Sequence, residues 1–203
     1  PQKRTAQRAI NQAISSVCVL GNRTIARSYL VRGGESDWSS EYKLYSRSQW
    51  EAQSLFDGVL NEAIKLCPDE LLPFGTDDTR IKKSGKKIQT AGWGRDPLSP
   101  PFHVNLQYGL RFLHTALLTP HSQKAGVGAR ALPVWFEEAP AVKKPGKKAT
   151  PEEQQRYRQE KKQRNLSVQA VSMFKHLRQK VDALGCQGKT LAFALDGSYC
   201  SRA

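Results

Sequence analysis

Apolar residues recur every three to four positions between Ala9 and Val17, which predicts an amphipathic helix near the start of the chain. The pattern breaks at Gly21, and Thr24 has a side chain suited to cap a second helix. A helix, a turn and a helix are typical of plain packing, and also of motifs that read DNA. The pattern alone leaves both interpretations open.

A further stretch of helical spacing covers residues 46–66, and Pro68 ends it. Pro68 is the natural place for a domain boundary. We therefore predict a helical N-terminal region, 1–68, with possible DNA binding, followed by a second domain, 69–203.

After this boundary the pattern becomes that of a sheet. Three segments, 71–76, 102–118 and 129–139, have the short apolar or alternating character of strands. A long helix is predicted over 150–184, because it starts with a threonine cap, a proline and two acids. A last apolar strand follows at 191–196. The order strand-strand-strand-helix-strand predicts an α/β fold with a mixed sheet.

Two of these strands end on carboxylates. The first leads into Asp77 and Asp78, and the last leads into Asp196. Aspartate often caps a turn, so neither strand end alone indicates a site. If the two strands are neighbours, however, the carboxylates emerge side by side and repel each other unless a cation neutralises them. Mg²⁺ or Mn²⁺ prefers such oxygen ligands and supports phosphodiester chemistry, so the pattern predicts a divalent-metal site.

The charge balance points to a polyanionic partner. The 203 residues carry 32 Lys and Arg against 18 Asp and Glu, a formal charge of +14. Such a charge attracts nucleic acid first and an anionic membrane surface second. Two basic clusters are candidates for contacts with DNA phosphates: Arg80, Lys82, Lys83, Lys86 and Lys87, and Lys143, Lys144, Lys147 and Lys148. A solvated hairpin tip explains the first cluster equally well.

The remaining side chains give few further candidates for a functional site. The histidines show no ligand spacing, and the four cysteines lack the pairs of a zinc site, which favours free thiols: Cys18, Cys67, Cys186 and Cys200. Without an apolar run of about 18 residues or a signal segment, we expect a soluble cytoplasmic protein. Trp93, between two glycines, is the tryptophan most expected to be exposed, where it can stack on a base.

Three stretches together resemble a known family. DDTRIKKSGKK, RDPLSPPFHVNLQYGLRFL and LAFALDGSY resemble the DDE transposases of bacterial insertion sequences, which carry a ribonuclease H-like catalytic domain. The resemblance implies that Asp77, with Asp78 as the alternative, and Asp196 are catalytic metal ligands. It also implies Mg²⁺-dependent cleavage at transposon ends and strand transfer to target DNA, with a homodimer pairing two DNA ends.

The sequence departs from this family in one respect. The family has a third acid, a glutamate on a helix beyond the second aspartate, and the sequence ends at Ala203, seven residues after Asp196. Glu137 and Glu138 precede Asp196 and are in the wrong order. We therefore expect an incomplete ribonuclease H-like sheet that binds DNA but does not cut or join it usefully alone. A non-catalytic basic nucleic-acid-binding protein is the alternative, and a nuclease of the same fold is a third.

Overall fold

The computed structural model describes residues 3–34, 37–47, 51–85, 87–96, 98–100, 102–120 and 128–199. The chain divides into two compact units, Pro1–Glu51 and Ala52–Ala203. The boundary between the units lies earlier than the proline proposed from the sequence. The helix that precedes the proline is therefore grouped with the sheet.

The described residues of the first unit form three helices, α1 (Lys3–Cys18), α2 (Ile25–Val31) and α3 (Trp38–Ser46). The predicted turn is present, with Gly21 at a φ of 81°, where a residue without Cβ is favoured. Thr24 caps α2, since its side chain accepts a hydrogen bond from the backbone of the first helical turn. The third helix was not predicted, although an aspartate caps its start.

The interior of this unit combines the apolar Val19 and Leu44 with several buried polar residues. Glu41 is buried and forms a 2.7 Å ion pair with Arg32, and three further polar residues are buried with it: Gln12, Ser15 and Ser28. The apolar face predicted for α1 is instead exposed, with Val17 at 80%. Helical spacing was therefore correct for this segment, but burial follows the polar face, which carries Gln12 and Ser15.

In the part of the second unit that the structure describes, three helices combine with five strands. The unit begins with α4 (Ala52–Lys65), and the remaining elements follow in chain order: β1 (Leu71–Lys82), β2 (Gly92–Arg95), β3 (Leu106–Pro120), β4 (Ala129–Glu138), α5 (Pro151–Gln163), α6 (Leu166–Ala183), β5 (Thr190–Leu195) and a short 3-10 turn (Gly197–Tyr199). None of the helices in the described part of the chain has both the length and the apolar content that a membrane crossing requires.

The five strands form one mixed sheet, which confirms the α/β class. The long strand β3 pairs antiparallel with β1, and it also pairs antiparallel with β2 and β4. The strand β5 pairs with β1 in parallel. The first and last strands are therefore neighbours, as the grouping of their aspartates requires.

Two elements differ from the expected order. The short strand β2 was not predicted, because two of its four residues are glycines. The long helix is two helices, because Asn165 caps a new start by accepting a hydrogen bond from Ser167 N at 3.2 Å. The capping box at Thr150 is present as predicted. No residue of α5 is buried, so packing does not hold it continuous with α6.

One face of the sheet packs against helices α4 and α6. The core joins Leu60 and Ile64 of α4, Phe74 of β1 and Leu113 of β3 to the buried side of α6: Ala170, Met173, Leu177 and Val181. Val168 and Val171 of the same helix are half exposed and lie outside this cluster. Burial of each large side chain contributes about 1.5–3 kcal/mol, so this cluster dominates the stability of the unit.

Candidate functional site

Asp77 and Asp196 lie at the same level of two neighbouring strands. Asp196 directly follows β5, but Asp77 lies inside β1, which continues to Lys82 through its pairing with β3, so the prediction that the first strand ends at residue 76 is wrong. The parallel register of β1 and β5 ends with Thr76 opposite Leu195, and an aspartate follows in each strand. Both aspartates line one depression of about 400 Å³. The structure therefore brings together the two carboxylates that the sequence grouped.

Small side chains leave the space that forms part of this depression. Gly75, Ala116 and Ala194 line it, and Asp77 lies opposite His114 of β3 in the antiparallel register. Sequence reasoning gave His114 no role, and only the strand pairing shows its position. Among the described residues, no group of three or more His, Cys, Asp or Glu side chains is arranged to hold a metal.

Asp78 lies on the opposite face of the sheet. Side chains alternate along a strand, and Leu72, Phe74 and Thr76 of β1 are buried on the face that the helices cover. Asp78 shares that face and accepts a hydrogen bond from Arg111 Nε at 2.8 Å. The Tyr199 hydroxyl also donates to it, at 3.4 Å. Its charge is thus neutralised within the protein, unlike a carboxylate kept for a metal.

Tyr199 anchors the turn that carries Asp196. Its side chain is buried and its backbone N donates to Asp196 O at 3.1 Å, while Ser167 Oγ donates to Tyr199 O at 2.8 Å. Burial raises the pKa of the Tyr199 hydroxyl, and the negative charges of Asp78 and Asp77 raise it further. The phenol is therefore neutral at physiological pH and remains a hydrogen-bond donor to Asp78.

The predicted basic residues fall into two groups. Arg80 is half buried and donates to Gly92 O at 3.3 Å, and burial beside Arg111 lowers its pKa. Arg80 therefore ties β2 to β1. The other described lysines of both clusters are exposed, as phosphate contacts require: Lys82, Lys83, Lys87, Lys143, Lys144, Lys147 and Lys148. Lys86 lies outside the described residues.

The cysteines of the described residues, Cys18, Cys67 and Cys186, are free thiols, and Cys200 lies outside the described residues.

No protein-family model, curated protein or solved structure matches the chain significantly. The residues of the site are therefore the basis for assigning a function. Two carboxylates on neighbouring strands can share a cation, and the exposed lysines at and after the end of β1 can hold an anionic polymer. A cation and a polyanion together suit phosphodiester chemistry.

Proposed function

We propose that this chain carries the first two metal ligands of a DDE-type DNA transposase with a ribonuclease H-like catalytic domain. One observation carries the proposal: Asp77 and Asp196 follow the last paired residues of two parallel strands and line the same depression. The order of the acids along the chain supports it too, since the family has one on the first strand and one after the strand that follows the helices.

The donor set fits Mg²⁺ or Mn²⁺. Mg²⁺ keeps several waters and is usually held by one or two carboxylates together with substrate phosphates. Asp77 and Asp196 supply two carboxylates beside an open depression, which leaves room for water and phosphate oxygens. Asp77 and Asp196 would hold the cation, whose chemistry when bound would be activation of a water or a 3′-hydroxyl and stabilisation of the leaving oxygen.

The remaining residues position these ligands and the DNA. Arg111 donates to Asp78, Asp78 accepts from the hydroxyl of Tyr199, and the backbone N of Tyr199 donates to Asp196 O. Asp78 is therefore a positioning residue, and Asp77 is the better candidate ligand. The exposed lysines Lys82, Lys83 and Lys87 hold the phosphate backbone, with four more in the segment before α5.

The test measures the affinity of the chain for duplex DNA with Mg²⁺ and with EDTA at constant ionic strength. Wild-type chain binds more tightly with Mg²⁺, because the cation cancels repulsion between the carboxylates and DNA phosphates. The Asp77→Asn/Asp196→Asn variant binds at least as tightly as wild type in EDTA, because two negative charges are gone, and it loses the response to Mg²⁺.

The matched control is Glu137→Gln/Glu138→Gln, which removes the same formal charge from the exposed end of β4. This control keeps the wild-type response to Mg²⁺. If the aspartate variant also keeps that response, the metal site is refuted. The chain is then a basic DNA-binding module whose aspartates only cap turns.

A further inference from the structure

An exposed tryptophan lies at the far end of the sheet, away from the paired aspartates. Trp93 of β2 is 68% exposed and lines a groove of about 720 Å³ with Lys82, Lys83 and Tyr108. Lys82 is five residues beyond Asp77 along β1, a separation of about 17 Å at 3.3 Å per residue. The groove is therefore distinct from the depression at the aspartates.

The groove and the aspartates share one face of the sheet. Asp77 pairs with His114, and the same antiparallel register continues until Lys83 N donates to Tyr108 O at 3.0 Å. Trp93 is the partner of Tyr108 in β2. Because every second residue faces the same side, Trp93 and Lys83 lie on the Asp77 face.

The tryptophan is held in place by its neighbours. Its ring centroid lies 5.5 Å from that of Tyr108, at an angle of 57°. On the other side of β2, the guanidinium of Arg80 occupies the space that a side chain at Gly94 would need. Gly109 has no room for a side chain either, because the backbone of Ile81 is in close contact with it. Trp93 is thus an exposed ring on a fixed support.

Charge indicates which partner suits this surface. Lys82 and Lys83 line the groove and Arg95 is exposed at the end of β2, on the same face as Trp93. The acid of the groove, Asp96, accepts a hydrogen bond from Leu98 N at 3.0 Å. A flat aromatic ring beside cationic side chains is how proteins bind single strands, whose bases stack while the phosphates meet the lysines.

We propose that this groove binds single-stranded DNA, with an unpaired base stacked on Trp93 and an adjoining phosphate held by Lys83, the groove lysine that alternation places on the same face as Trp93. The site goes beyond the proposed metal centre and needs no divalent cation. It lies on the face that carries Asp77, so one DNA strand can follow that face from the groove toward the aspartates.

The experiment measures the affinity of the chain for a fluorescein-labelled dT15 oligonucleotide and for a duplex of the same length, in EDTA. The variants are Trp93→Ala, the conservative Trp93→Phe, and Trp38→Ala as a control at another exposed tryptophan. Trp93→Ala weakens binding of dT15 by on the order of tenfold and leaves duplex binding within about twofold. Trp93→Phe keeps most of the affinity, and Trp38→Ala matches wild type.

The contribution of the lysine charge is tested by the salt dependence of dT15 binding. Lys83→Ala lowers the slope of log affinity for dT15 against log salt by about 0.7, the value for one phosphate contact on a single strand, whereas Lys175→Ala on the exposed side of α6 leaves it unchanged. The proposal is overturned if Trp93→Ala binds dT15 as wild type does, or if it loses dT15 and duplex equally. It is also overturned if Trp93→Ala changes the sedimentation coefficient of the free chain, since the groove is then an interface between copies. Because all measurements are in EDTA, failure here is separate from failure of the metal site.

Discussion

The two faces of the sheet use adjacent residues of one strand for opposite purposes. On the helix-covered face, Asp78 is paired with Arg111 beside the apolar core. On the open face, Asp77 lies with Asp196 in a depression lined by small side chains. A single step along β1 therefore separates a carboxylate that is paired within the fold from one that lines the open depression. The comparison predicts that substitutions on the covered face change stability, and that those on the open face change binding.

The largest effect is expected in the core of the covered face. Leu177 of α6 is fully buried, at 0% exposure. Leu177→Ala lowers the free energy of unfolding by about 2–5 kcal/mol, because it removes buried methyl groups and leaves a cavity. Val168→Ala, at a half-exposed position of the same helix, changes it by less than about 0.5 kcal/mol. Urea unfolding followed by circular dichroism measures both, and equal losses contradict the assigned core.

A smaller effect separates the two adjacent aspartates. Asp78→Asn lowers the free energy of unfolding by about 1–2 kcal/mol, because Arg111 loses its charged partner in a half-buried position. Asp77→Asn changes it by less than about 0.5 kcal/mol, since Asp77 is exposed. The same urea titration compares the variants. If Asp77→Asn is the more destabilising change, the roles assigned to the two faces are reversed.

The smallest effect depends on pH. Tyr199→Phe lowers the free energy of unfolding by about 0.5–1 kcal/mol near pH 8, because one hydrogen bond to Asp78 is lost. The pKa of Tyr199 is raised in the fold, so its stabilising contribution is complete below the unfolded-state value of about 10 and declines as pH rises above it. The gap between wild type and Tyr199→Phe therefore narrows from pH 9 to pH 11. A gap that stays constant over this range contradicts the raised pKa.

Much of the second unit follows from local pattern. Alternation and apolar runs predicted four of its five strands, and the threonine, proline and acids at the start of α5 predicted that helix. The alternation of side chains along β1 also assigns Asp77 and Asp78 to opposite faces of the sheet. Leu72, Phe74 and Thr76 are buried at every second position, so an even-numbered residue of β1 faces the core and an odd-numbered one faces outward.

Other features depend on tertiary contacts that no local pattern states. The apolar face of α1 satisfies helical spacing, yet the unit buries Glu41 with its partner Arg32 instead. The positions of Arg111 and His114 beside the aspartates come from the register of β3 against β1, which is a long-range pairing. Single apolar or charged residues do not encode such a register. Sequence reasoning therefore identified neither Arg111 nor His114 as a neighbour of the aspartates.

Binding of Mn²⁺ is the most direct test of the paired aspartates. Titration of the chain with Mn²⁺, followed by the electron paramagnetic resonance of the free ion, gives its affinity in wild type and in three single variants. Asp77→Asn and Asp196→Asn each weaken binding by at least about tenfold, because each removes one of two carboxylate ligands, whereas Asp78→Asn stays within about threefold. If Asp77→Asn and Asp196→Asn bind Mn²⁺ as wild type does, the two aspartates do not form a metal site.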